Sequence, residues 1–214
     1  MTKITVSCAK MSEPEYEYLW WLAGQRASHS RYWTDRSVMN AGTSQLNHFI
    51  GTGSEAVCAY LLNGRVDKDY KNAGGSDVLG IRWNDGTPVT IDVKGKVDRR
   101  NGLYVDKTCK AYDIYVLAHQ ADSTAESFPK YTDNHTIRTW NMYGWCTREE
   151  LVENGVDKTL RQGNKAQDQW FISKTGSKLK LFSTLYDATW GDEYDMAKSL
   201  GDRLEMAADT EKGI

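Results

Sequence analysis

Asp85-Gly86, held between Asn84 and Thr87, is the pair that most constrains the fold. Such a pair reaches positive φ at little cost, and both flanks are rich in β-branched and aromatic residues. Residues 74–96, GGSDVLGIRWNDGTPVTIDVKGK, therefore predict a tight β-hairpin. A two-residue turn puts Asn84 opposite Thr87. It then sets Arg82 against Val89, Gly80 against Ile91, Leu79 against Asp92 and Asp77 against Lys94. Strand alternation sends Val89, Ile91 and Val93 to one face and Thr90, Asp92 and Lys94 to the other. Two carboxylates and an ammonium are thus expected together at the open end of the hairpin.

As a surface cross-strand ion pair, Asp77 with Lys94 would contribute only ~0–1 kcal/mol. Asp92 has no place in that explanation. Strands deplete Asp, and Val89-Thr90-Ile91 before it with Val93 after it mark a mostly buried strand, where an unpaired carboxylate is costly. Its presence points to a ligand for its charge. Two carboxylates and a backbone carbonyl suit Mg²⁺ or Mn²⁺, and a nearby lysine can orient or deprotonate a water or counter negative charge in a transition state.

The flanking sequence predicts a mixed α/β domain. Ser12-Glu13-Pro14-Glu15 has the capping-box pattern ahead of the aromatic-rich helical stretch YLWWLAGQRA. A second helix is expected over 45–62, where Leu46, Phe49, Ile50, Val57, Tyr60 and Leu61 recur at helical spacing and Asn63-Gly64 stops the run. AYDIYVLA (111–118) reads as a buried strand and TIRTWNMYGW (136–145) as another. Thr147-Arg148-Glu149-Glu150 repeats the capping box and opens a short helix ending near Asn154-Gly155. A length of 214 residues suits one domain, with a peripheral acidic segment from about residue 187.

Several classes are excluded or disfavoured. Cys8, Cys58, Cys109 and Cys146 lie far apart with no Cys-x-x-Cys pair, so reduced thiols are expected, not a zinc site or a disulfide framework. His29, His48, His119 and His135 show no metal-ligand spacing, and no serine-hydrolase elbow or phosphate-binding P-loop is present. No stretch has the length and apolarity of a membrane span, so a cytoplasmic protein is expected. The net charge of −2 gives no overall pull toward nucleic acid, but cations cluster locally. Lys94, Lys96, Arg99, Arg100, Lys107 and Lys110 face only Asp98 and Asp106, and a second run holds Lys158, Arg161, Lys165, Lys174, Lys178 and Lys180. Eight Trp and twelve Tyr are enough to fill a core and also to stack on bases, and composition does not separate the two uses.

Ser76-Asp77, fourteen intervening residues, then Asp92-Val93-Lys94, with Glu55 on the preceding helix in GTGSEAVCAYLL, resembles the PD-(D/E)XK nuclease superfamily. Ser76 replaces the proline of the family name, and the second acid is Asp; both are common variations. The resemblance covers residues 45–118, and TIRTWNMYGWCTREEL looks like segments of small phage-encoded members. It implies a restriction-endonuclease-like fold, a mixed central β-sheet flanked by helices. It also implies that Asp77, Asp92 and the Val93 carbonyl bind Mg²⁺ or Mn²⁺, that Lys94 acts on the attacking water and that Glu55 completes the site. Small neighbours Gly51, Gly53, Ser54 and Ala56 would let the helix of Glu55 approach the sheet closely. Lys96, on the same strand face, is a rival for Lys94, and Asp113 is a strand-end acid that could face solvent instead.

The expected function is metal-dependent hydrolysis of phosphodiester bonds in DNA, with Lys96, Arg99 and Arg100 holding the backbone. Many members of the superfamily act as dimers, which leaves a homodimer open. The alternative is a non-catalytic nucleic-acid- or protein-binding member of the same fold. A third class, an acid/base carboxylate pair of the glycosidase kind, is disfavoured by Lys94 between the acids.

Overall fold

The second helix is built to lie close against a sheet. The computed structural model describes residues 7–10, 13–33, 41–69, 75–96, 102–120, 139–162, 165–173 and 178–191. After β1 (Ser7–Lys10) come α1 (Glu13–Trp33) and α2 (Ala41–Leu61), the latter starting four residues before the expected 45. Asn63, at φ 57°, closes α2: Asn63 N–H donates to the Tyr60 carbonyl at 3.2 Å and Gly64 N–H to the Ala59 carbonyl at 2.7 Å. Small residues set the approach of α2. A Cβ on Gly53 would enter the Trp140 indole, and one on Gly95 would meet Ser54 Oγ and, at 2.8 Å, the Ile50 carbonyl.

The remaining strands and helices follow as β2 (Arg65–Val66), β3 (Val78–Leu79), β4 (Ile81–Trp83), β5 (Ile91–Lys96), β6 (Gly102–Asp106), β7 (Ile114–Gln120) and β8 (Thr139–Thr147). Then come α3 (Arg148–Asn154), β9 (Val156–Gln162), β10 (Lys165–Ser173), α4 (Phe182–Ala188) and β11 (Thr189–Gly191). The central sheet runs β1-β8-β7-β5-β3-β2, with β5 and β7 parallel and every other neighbouring pair antiparallel. This is the expected mixed α/β architecture with a helix-flanked central sheet.

β7 is buried at all seven positions, which explains its unbroken apolar run. Ile114, Val116 and Ala118 join Phe49, Val57 and Trp140 in the core under α1 and α2, whereas Tyr115 and Leu117 join Leu103, Val105, Leu151 and Ile172 on the opposite face. That second face is covered by the three-stranded sheet β6-β10-β9 and by α3. The link between parallel β5 and β7 contains β6, so this connection crosses the face to which Asp92 and Lys94 point. α3 starts as its sequence predicts: Glu150 N–H donates to Thr147 Oγ1 at 3.2 Å and Thr147 N–H to Glu150 Oε2 at 2.8 Å.

The hairpin is real, but its register differs from the expected one. The turn takes three residues: Gly86 N–H donates to the Trp83 carbonyl at 2.8 Å, Trp83 N–H to the Thr87 carbonyl at 2.9 Å, and Gly86 sits at φ 86°. A type I turn followed by a left-handed glycine replaces the two-residue turn. Arg82 therefore pairs with Pro88, not Val89. A second positive-φ residue, Gly80 at φ 76°, adds one more residue to the first strand, so Val78 pairs with Ile91. Beyond Gly80, β4 leaves the central sheet and pairs with β11.

Cys58, Cys109 and Cys146 are free thiols. Among the described residues no helix is long and apolar enough to cross a membrane.

Candidate active site

Asp92 occupies a buried position near the start of β5, and Lys94, two residues on, points to the same side. Lys94 Nζ lies 2.8 Å from Asp92 Oδ1. The other oxygen, Oδ2, is buried with no hydrogen-bond partner among the described residues. The expected pairing of Asp77 across from Lys94 does not occur, because the longer turn and the Gly80 bulge shift the strands.

Asp77 instead ends the β3–β5 ladder. Its N–H donates to the Ile91 carbonyl at 2.8 Å, and its Oδ2 accepts from Val93 N–H at 2.7 Å. Ser76 Oγ accepts from Ile91 N–H at 2.8 Å and donates to the Val78 carbonyl at 2.6 Å. Side chains of Ser76-Asp77 thus replace the backbone groups of a continued strand. In an extended chain the N–H and C=O of one residue face the same side. The bond from Val93 N–H therefore turns the Val93 carbonyl toward Asp77 as well.

Glu55 reaches this region from α2 and is buried. It is held by a residue that sequence reading missed: Arg26 of α1 places Nη1 2.6 Å from Glu55 Oε2 and 3.3 Å from Thr52 Oγ1, and Nη2 donates to the Asp67 carbonyl at 2.7 Å. Arg26 lies in a stretch read only as an aromatic-rich helix, and a lone helical arginine gives no signal of an inward-facing role.

Burial, then the charges of Glu55 and Asp92, push the Asp77 carboxyl well above its usual range, against the opposing pull of Val93 N–H and Lys94. Burial also raises Glu55, with Arg26 acting against it. For Lys94, burial would lower the pKa, but Asp92 outweighs it and holds the ammonium above the ordinary lysine value. Lys96, partly buried, without such a partner among the described residues and repelled by Lys94, is lowered. Tyr112, on the loop after β6, is pushed to about 12 by burial and by Asp77 and Asp92. Three carboxylates, Glu55, Asp77 and Asp92, thus share one region with two cations, Arg26 and Lys94, and acidic charge is in excess.

Among the described residues no group of three or more His, Cys, Asp and Glu side chains converges to hold a metal ion. A set of two carboxylates and one carbonyl remains, and it fits a divalent cation on two observations. Asp92 Oδ2 is a buried acceptor with no donor among the described residues, and the Asp77 carboxyl is raised by burial and by the charges of Glu55 and Asp92, which a cation would offset.

The other expected residues fall as follows. Lys96 lies on the same strand face as Lys94, with Nζ 5.6 Å from the centre of the Tyr104 ring. Arg99 and Arg100 lie outside the described residues. Asp113 faces away from the site's chemistry: its Oδ2 accepts from Thr90 N–H at 2.8 Å and Thr90 Oγ1 at 2.7 Å, tying the start of β7 to β5. Neither a known family profile nor a curated protein nor a solved structure matches this chain.

Proposed function

We propose that the chain is a Mg²⁺- or Mn²⁺-dependent nuclease that hydrolyses phosphodiester bonds in DNA. The observation that carries this reading is Asp92 Oδ2, buried and unpartnered among the described residues, in a region where the charge of Asp92 also acts on Asp77. Asp92, Asp77 and the Val93 carbonyl would hold the cation, and Glu55, fixed by Arg26, would complete the negative surround. When bound, the cation supplies Lewis-acid polarisation of the phosphoryl group and of a water.

Lys94 has a narrower role than the resemblance alone implies. Paired with Asp92 at 2.8 Å and held above the ordinary lysine value in the metal-free protein, its ammonium would serve as a charge that stabilises the phosphoryl oxygens in the transition state. Lys96, protruding past it toward Tyr104, contacts the backbone phosphates. Incubating purified protein with plasmid, linear duplex, single-stranded and branched DNA in Mg²⁺, Mn²⁺ or EDTA tests the reading. Cleavage only with a divalent ion is expected; cleavage undiminished by EDTA would sink it.

A further inference from the structure

The three-stranded sheet has one face in the core and one turned outward, and the outward face carries an apolar stripe. Leu103, Val105 and Ile172 point inward to the core. Alternation therefore turns Tyr104, Phe171 and Val156 to the other side, where the register lines them up across β6, β10 and β9: Tyr104 faces Phe171, and Phe171 faces Val156. Tyr104 and Phe171 are half-buried with ring centres 4.6 Å apart, and Val156 is 57% exposed. Two strand spacings give the stripe a width of about 10 Å.

Both aromatic rings carry a cation. Lys96 Nζ lies 5.6 Å from the centre of Tyr104, and Lys158 Nζ 4.2 Å from that of Phe171. Lys158 is the diagonal neighbour of Phe171 across the β9–β10 ladder and is exposed, so it can swing off the ring to a phosphate. The one carboxylate in the next row, Asp106, is occupied by its own turn, accepting from Thr108 N–H at 2.8 Å and Thr108 Oγ1 at 2.7 Å. Lys96 links the stripe to the site above: it lies two residues beyond Lys94 on β5, and its ammonium reaches the Tyr104 ring.

Lys96, Tyr104, Phe171 and Lys158 thus set two adjacent rings between two cations. We infer that Tyr104 and Phe171 form a stacking platform for one or two unpaired bases of a nucleic-acid strand, with Lys96 and Lys158 holding the flanking phosphates. This rests on the nuclease reading for its purpose and narrows the substrate to one with a single-stranded segment beside the scissile bond. Paired bases keep their faces inside the duplex stack, whereas unpaired bases offer them to aromatic rings; the cations suit the phosphates whatever the sequence.

The test is binding in EDTA, where no cleavage is needed, of a 12-nucleotide DNA single strand carrying 2-aminopurine. The wild-type protein should quench the probe and bind it more tightly than the same sequence as duplex. Tyr104→Leu and Phe171→Leu, checked for fold by circular dichroism, should each weaken binding roughly 5- to 150-fold, the range for one lost base–aromatic stack. Lys158→Ala, at an exposed position, should flatten the log–log salt slope by about 0.7, one phosphate contact on a single strand. An unquenched probe at saturation, a preference for duplex, or leucine variants that fold and bind as the wild type does would overturn the platform. Should the leucine variants not fold, wild-type quenching and the Lys158→Ala slope decide. Quenching without cleavage in Mn²⁺ would defeat the nuclease and keep the platform; Mn²⁺-dependent cleavage without quenching would do the reverse.

Discussion

Lys94 Nζ binds Asp92 Oδ1 at 2.8 Å and leaves Oδ2 of the same carboxylate buried with no partner. A buried acceptor without a donor costs about 1–3 kcal/mol, more when charged. Nothing in the strand itself requires an acid there, since Ile91 and Val93 on either side are core residues. We propose instead that the arrangement is one half of a coordination set, with the lysine already in place to oppose negative charge.

Lys94→Ala should therefore reduce the cleavage rate at saturating metal and DNA by roughly 10²- to 10⁴-fold, the usual cost of losing a positioned charge-stabilising group. Lys96→Ala should act mainly on KM and leave the saturated rate within about tenfold. Steady-state kinetics of the two variants separates these outcomes. A dead Lys96→Ala beside an active Lys94→Ala would reassign the catalytic lysine.

Asp77 provides a test on stability that does not need a substrate. Burial with Glu55 and Asp92 raises its folded pKa above the unfolded value, so folding takes up a proton. Its contribution to stability is full below the unfolded Asp value of about 3.9 and is lost as pH rises through the raised folded value. Without metal, the wild type should lose thermal stability relative to Asp77→Asn as pH increases from about 4, and the variant should be the more stable at neutral pH. Asparagine keeps an oxygen for Val93 N–H, so that bond survives. Mg²⁺ or Mn²⁺ at neutral pH should raise the Tm of the wild type and not of the variant. Parallel melting curves for the two proteins across the pH range would show that Asp77 carries no such strain.

Arg26 should be a positioning residue whose removal is felt through Glu55. Arg26→Met leaves a buried carboxylate unpaired and should destabilise the protein by about 3–5 kcal/mol, whereas the double variant Arg26→Met with Glu55→Gln should recover most of that loss. Urea denaturation of the single and double variants measures the coupling. Additive losses would mean that Arg26 acts through Thr52 and the Asp67 carbonyl instead.

How far the sequence could carry this account is visible at particular residues. β7, the α3 capping box and the Asn63 stop of α2 were legible because local chemistry decides them: an apolar run, a reciprocal pair of side-chain bonds and a left-handed cap. Asp77, Asp92, Lys94 and Glu55 were legible as candidates for one site and their charges do act on one another, yet their mutual geometry was not legible. Asp85-Gly86 signals a turn without saying whether it takes two residues or three, and Gly80 reads as an ordinary strand residue until its φ is known. Each glycine shifted the register by one, which moved Asp77 from Lys94 to Val93 N–H. β6, β9 and β10 were missed because lysines, aspartates and glutamines interrupt their apolar residues, so that the stretch resembles a basic loop. Arg26 was missed because its role depends on α1 lying against α2, a tertiary fact that no local pattern encodes.

The central claim is that Asp92 holds a divalent cation for phosphodiester cleavage, and the most direct measurement is Mn²⁺-dependent cleavage of end-labelled DNA by the wild type and Asp92→Asn side by side, each with and without EDTA. The account predicts cleavage by the wild type that EDTA abolishes, and no metal-dependent cleavage by a folded Asp92→Asn. Equal metal-dependent cleavage by the two proteins would contradict it.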